Sequence, residues 1–147
     1  MNDSIHETSH IPVPIERVWR AVSDYKEFGE WFRVRLDQPF VAGESSTGQM
    51  TVPGYEHIRW NAEVVAVEPP RRLAFRWHPY ALDPDVDYSL EPMTLVEISL
   101  AERDGGTEVQ VTESGFAAIP EHRRDEAFRM NSKGWAAQLK NIAQYLG

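Results

Sequence analysis

The sequence predicts an α+β fold: a curved antiparallel sheet of six to seven strands wrapped around a long C-terminal helix, with two short helices after the first strand. Three observations predict it. Residues 33–116 are a succession of short β-branched and aromatic runs broken by Pro, Gly and Asp, which is the texture of an antiparallel meander. Beyond Pro120 apolar residues fall on one stripe at helical spacing for about seven turns. Ahead of the meander, a strand-like alternation gives way at a pair of prolines to a helical period.

Taken in order, residues 4–11 (SIHETSHI) alternate as a first strand, and Pro12 and Pro14 end its ladder. Pro14 also suits the first turn of a helix, where its missing N–H is not needed. Ile15, Val18, Trp19 and Val22 follow at helical spacing in PIERVWRAVSD. YKEFGEWF predicts a second short helix that turns Phe28, Trp31 and Phe32 inward. The clearest strands of the meander are HIRWNAEVVAVE, RRLAFRWHP, MTLVEISLAE and TEVQVTESGF. Pro69-Pro70 separates the first two, and Asp104-Gly105-Gly106 makes a tight hairpin between the last two, so these four are expected to pair in sequence order. In the last helix Phe128, Asn131, Trp135, Leu139, Ile142 and Leu146 share the stripe, and Gly147 closes it. Gly134, inside that helix, costs on the order of 1 kcal/mol of helix propensity. Either a close approach to sheet or ligand requires it, or the helix simply tolerates it.

At 147 residues the chain is expected to form one domain over residues 1–147, large enough to bury a real core without staples. Hydrophobic residues at 41% and charged residues at 26% argue against disorder and fibrous repeats. Five Trp, five Tyr and six Phe make much of the core aromatic. The absence of Cys removes disulfides, thiolate nucleophiles, Cys-ligated zinc and iron–sulfur clusters together. No basic segment followed by an apolar run opens the chain, and no window approaches about 18 consecutive apolar residues. Membrane spanning and export are therefore not expected, and a cytoplasmic location is the default. A net charge of −8, spread along the chain, disfavours nucleic acid and anionic membranes as partners.

No metal or other cofactor is expected. The five histidines show no ligand spacing, and His6 and His10 lie too far apart on one strand face to share an ion. Asp83, Asp85 and Asp87 imitate the start of a calcium loop, but Tyr88 stands where that loop needs Gly and Thr94 where it needs Glu. No G-x-S-x-G elbow is present.

Strand alternation assigns faces. Leu73, Phe75 and Trp77 share one; so do Val96, Ile98 and Leu100; so do Val109 and Val111. Extending the last series by two reaches Glu113, which places a carboxylate in register with the apolar face. By the same parity His78 points away from Trp77, toward solvent. Trp60 alternates with Ala62 and Val64 and fits either sheet face.

The run IPVPIERVWRAVSDYKEFGEWF resembles the opening of the START-like (SRPBCC, birch-pollen-allergen-like) superfamily. VEPPRRLAFRW, GGTEVQVTESGF and KGWAAQLKNIAQYL are similar to the branch typified by the C-terminal domain of the activator of the heat-shock chaperone ATPase. The resemblance implies a helix-grip fold, with an elongated cavity between the concave sheet and the last helix, and it agrees with the element order read from the patterns. It is loosest at residues 36–58 and at YALDPDVDYSLEP, loops that would border the cavity mouth. HPYALDPDVDYSLEP also resembles a bacterial subgroup labelled as a vanillate demethylase reductase component. That chemistry needs flavin, nicotinamide and a Cys-held cluster, and this sequence has neither Cys nor a glycine-rich dinucleotide loop.

Given that cavity, the expected function is non-catalytic binding of a small hydrophobic or aromatic molecule. Trp31, Trp77, Phe116, Met130 and Trp135 are the candidate walls. Glu113 is the candidate polar anchor, with Asn131, a polar residue on an apolar stripe, as a further contact. The plainer reading makes Glu113 a structural partner for an Arg, a Trp N–H or a backbone amide, and lets the aromatics fill the space. Two rivals remain. A chaperone-activator-like module would work from its outer surface and would be favoured by a filled core. A cyclase- or dehydratase-like enzyme would use Glu113 as acid/base with Tyr80 or Tyr55, and would be favoured by a pocket in which Glu113 has no protein partner. A weak homodimer would cover an exposed sheet edge.

Overall fold

The computed structural model describes residues 3–147, so the first two residues of the N-terminal segment lie outside the described residues. The elements run β1 (Ser4–Ile11), α1 (Ile15–Ser23), α2 (Tyr25–Phe32), β2 (Val34–Leu36), β3 (Ser45–Met50), β4 (Arg59–Glu68), β5 (Arg72–Trp77), β6 (Thr94–Arg103), β7 (Gly106–Ser114) and α3 (Glu121–Leu146), with a single 3₁₀ turn at Phe116–Ala118. One seven-stranded sheet has the order β1-β7-β6-β5-β4-β3-β2, antiparallel throughout. This is the expected α+β helix-grip: the sheet curves around α3, whose buried Ala127, Trp135, Leu139 and Ile142 enter the core. No helix among the described residues is long and apolar enough to cross a membrane.

The four clear strands pair in sequence order as β4 to β7. Asp104 and Gly105 both take positive φ, 49° and 77°, which is the turn a two-residue hairpin needs to match strand twist. The Pro69–Pro70 peptide between β4 and β5 is cis. The assigned faces hold as well: Glu113 stands opposite buried Ile5 and Val96, on the concave side. Trp60, Ala62 and Val64 are all buried, which settles the face left open by the sequence.

Two strands come from the stretch where the sequence shows no clear one. β2 is only three residues long, and β3 reads SSTGQM, with no β-branched alternation to recognise. β3 is held instead by its pairing with β4, including Gly48 opposite Trp60. Gly48 is required there, because a Cβ would run into the carbonyl oxygen of Arg35 on β2.

The two short helices form a clamp on one end of the sheet. The Asp24 carboxylate accepts from Lys26 N at 2.9 Å and Glu27 N at 3.1 Å, capping α2. Glu27 then ties the clamp to the end of α3: it accepts from Arg17 Nη1 at 2.8 Å and Tyr145 Oη at 2.7 Å, and pairs with Arg20 Nε at 3.0 Å. Burial pushes the Glu27 carboxyl up, but the hydrogen bonds from Tyr145 and Arg17 and the charges of Arg17 and Arg20 outweigh it and hold the group below its ordinary value of 4.5. A carboxyl lowered by folding adds stability above that ordinary value, and the contribution is lost as pH falls through the folded value. Glu27→Gln is therefore expected to cost about 1–2 kcal/mol at neutral pH. In urea unfolding at a series of pH values, the difference between wild type and variant should shrink as pH falls below the ordinary carboxyl value of 4.5.

Candidate functional site

Glu113 is the organising residue. It is fully buried, and every donor around it is neutral. Its Oε2 accepts from Trp77 Nε1 at 2.8 Å and from Thr94 Oγ1 at 2.6 Å. Its Oε1 accepts from Trp135 Nε1 at 2.8 Å. Asn131 Nδ2 lies 3.0 Å from Oε1 and 3.2 Å from Oε2. Residues of β5, β6, β7 and α3 thus meet at one carboxylate, which pins the last helix across the sheet. Buried indole N–H groups need acceptors, and a single carboxylate supplies two of them here.

The two indoles belong to a continuous aromatic layer. Trp77 lies 5.8 Å from Trp135, 5.4 Å from Trp60 and 5.4 Å from Phe75, centroid to centroid, and Phe32 lies 5.3 Å from Trp60. Such pairs contribute about 0.5–1.5 kcal/mol each beyond their buried area. Trp60 Nε1 is anchored on buried Ser46 Oγ at 2.9 Å.

Against this layer opens a cavity of about 530 Å³. Phe32, Trp60, Trp77 and Asn131 form its inner side; Met50, Ile58 and Leu82 add apolar walls; Tyr55, Tyr80 and Tyr88 come from the loops after β3 and β5. A smaller space of about 90 Å³ shares Phe32, Trp77, Asn131 and Gln138 with it and is bordered also by Trp135 and Gly134. The cavity lies toward the β3–β5 side of the sheet rather than along the full length of α3. Toward the two ends of the helix, Phe116 and Ile119 on one side and Ile142 on the other are fully packed.

The segment between β5 and β6 caps the cavity and is latched to α3 by Arg123. Arg123 Nε donates to Glu91 Oε1 at 2.8 Å and Nη1 to the Pro79 carbonyl at 2.7 Å, and the guanidinium sits 4.8 Å from the Tyr88 ring centroid. Asp83 and Asp87 stiffen the same segment by accepting from Asp85 N and Ser89 N, both at 2.9 Å. The acidic run is thus a set of turn caps.

The predicted wall residues divide. Trp77 and Asn131 line the main cavity, and Trp135 borders the smaller one. Glu113 lines neither: it lies behind Trp77 and Asn131, with its oxygens engaged by protein. Trp31, Phe116 and Met130 also line neither. Trp31 donates to the Ala21 carbonyl at 2.8 Å and packs on Phe28, joining α2 to α1. Phe116 packs edge-on against Phe128, because strand parity ends where Gly115 turns the chain at φ 103°. Met130 sits about 100° around α3 from Asn131 and borders neither space. His78 departs from the parity reading: the strand stops at Trp77, and the half-buried imidazole lines the cavity with Nε2 on the Glu91 carbonyl at 3.0 Å.

Gly134 needs no close approach, since a Cβ there would meet nothing within 4 Å. Gly134→Ala is expected to stabilise the protein by about 1 kcal/mol, read as a melting temperature higher by roughly 2–4 °C.

The family model described as activator of Hsp90 ATPase homolog 1-like protein matches residues 12–147. The chain belongs to this family. Among solved structures, it is similar to DynU16, a protein of the dynemicin biosynthetic locus, with 25% identity and a TM-score of 0.78 over 99% of this chain. It spans about half of that protein's length, 48%. Protein MLL2253 from Mesorhizobium loti shares the fold at 22% identity and a TM-score of 0.76, covering 97% of this chain and 96% of that one. CalU16 from Micromonospora echinospora shares it at 20% identity and a TM-score of 0.70, covering 98% and 76% respectively. Comparison with curated proteins gives no match.

Proposed function

We propose that this family member binds one small, largely apolar aromatic molecule in the cavity beneath the β5–β6 segment, and does so without catalysing a reaction on it. The observation that carries this is the cavity itself: about 530 Å³, walled on one side by an aromatic layer whose rings are fixed by hydrogen bonds to Glu113 and Ser46. That volume lies within the range of small-molecule sites, roughly 300–1,000 Å³. Trp60, Trp77 and Phe32 provide the stacking surface, Asn131 the polar contact, and Glu113 with Trp135 holds them in place. A filled core would have favoured a purely surface-acting chaperone module, and an unpartnered Glu113 would have favoured acid/base catalysis; the cavity and the four donors on Glu113 argue for binding over both. The likeness to a protein encoded in a natural-product biosynthetic locus supports a small molecule as cargo.

The test is thermal melting and Trp fluorescence against a panel of fused-ring aromatic compounds. A ligand present at 100 times its Kd stabilises the folded state by about 2.7 kcal/mol, a shift of several degrees. Ala81 lines the cavity from the cap, so Ala81→Trp should fill the space and abolish the shift. A panel in which no compound moves either signal would sink the proposal.

A further inference from the structure

We infer that the inner wall of the cavity selects a neutral ligand that donates a hydrogen bond, with Asn131 Oδ1 as the acceptor; the inference rests on the ligand-binding reading above. It comes from an accounting of the polar groups on that wall. The Trp77 indole N–H is spent on Glu113 and that of Trp60 on Ser46. Gln138 Nε2 donates to the Phe32 carbonyl at 3.1 Å, and its Oε1 already accepts from Asn141 at 3.0 Å. His78 Nε2 faces a carbonyl, which can only accept, so this nitrogen carries its hydrogen and donates there.

Asn131 is then decided by its neighbours. Both oxygens of Glu113 already accept from indole N–H groups, which can only donate, so the amide nitrogen of Asn131 is the end that fits against them. The amide oxygen must point the other way. It has no hydrogen-bond partner among the described residues, and it is not among the buried polar atoms left unpartnered. Because Asn131 lines both the main cavity and the smaller space beside Trp77, that oxygen is open to a ligand. Donors not so engaged lie away from that wall: Arg59 and the Tyr55 hydroxyl belong to exposed residues at the mouth, and the hydroxyls of half-buried Tyr80 and Tyr88 to the β5–β6 segment opposite. A carboxylate pushed to the inner wall would meet an amide oxygen with the Glu113 carboxylate behind it. A phenolic O–H or a ring N–H on a planar aromatic scaffold would meet the acceptor it needs.

The experiment is calorimetric titration of the full chain with three probes of one shape: 2-naphthol, 2-methoxynaphthalene and 2-naphthoate. The naphthol is expected to bind about tenfold tighter than the methyl ether, because a site built around one hydrogen bond discriminates against the analogue that cannot make it. The naphthoate should bind most weakly. In Asn131→Ala, which leaves Glu113 its two indoles and Thr94, the advantage of naphthol over ether should fall to about twofold or less; Asn131→Ser serves the same purpose if the alanine variant does not fold. Equal binding of naphthol and ether by wild type, or tightest binding of the naphthoate, overturns the inference while leaving ligand binding intact. Failure of all three probes to bind overturns the ligand-binding reading, and the inference with it.

Discussion

Glu113→Gln lowers stability by about 3 kcal/mol, since each buried donor left without an acceptor costs about 1–3 kcal/mol. The physical reason is that the Glu113 site offers only donors: two indoles, a threonine hydroxyl and an amide nitrogen. A glutamine keeps the shape but replaces one acceptor oxygen with an NH₂ group, which must then face an indole N–H or the Asn131 amide. The Thr94 hydroxyl can rotate and the Asn131 amide can turn its oxygen toward the new NH₂, but the indole N–H facing it has no acceptor alternative and is left unpaired. At this chain length the loss reads as a melting temperature lower by roughly 6–12 °C. Urea unfolding should show a lower midpoint with unchanged slope. Trp emission should also shift, because Trp77 and Trp135 lose their common anchor. A Glu113→Gln protein as stable as wild type would show that the network does not hold the helix to the sheet.

Arg123→Ala is expected to cost about 2–3 kcal/mol, because it leaves the half-buried Glu91 without its cation and the Pro79 carbonyl without its donor. The effect on the cavity is larger than the effect on the fold. Tyr80, Ala81, Leu82 and Tyr88 line the cavity from a segment whose hydrogen bonds to α3 come from Arg123, so the cap should open more often. Amide hydrogen exchange should rise across residues 79–91 and stay unchanged in β6 and β7. Any bound aromatic should dissociate faster with little change in its association rate. Arg123→Lys should recover only part of this, since an ammonium pairs with Glu91 but cannot lay a flat guanidinium on the Tyr88 ring.

Much of this was legible in the sequence, and the reasons differ from element to element. β1, α1, α2 and the four long strands have either strict alternation or a helical stripe between Pro, Gly and Asp stops, so their ends coincide closely with those signals. Glu113 was found by parity alone, because a strand that long carries its register to its last residue. Parity fails one step past a strand's end, which is why His78 sits elsewhere than it predicts, and Gly115 redirects the chain before Phe116 is reached. β3 was hidden because its support is long-range: Ser, Thr, Gly and Gln form a strand there because β4 offers a ladder. Most of the cavity wall was hidden for a related reason. Met50, Ile58, Leu82 and Tyr88 lie in or beside loops with no period, and only the meeting of two distant loops makes them one surface. The scattered apolar residues in two otherwise polar loops were the available signal.

In the proposed complex an aromatic ligand occupies the space above Trp60 and Trp77. The most direct test is to record nuclear Overhauser contacts between a bound naphthalene scaffold and the protein's methyl groups. Contacts are expected to Met50, Ile58 and Leu82, which line the cavity. Contacts confined to the outward-facing Val86 and Leu90, or to no methyl group at all at saturating probe, would contradict it.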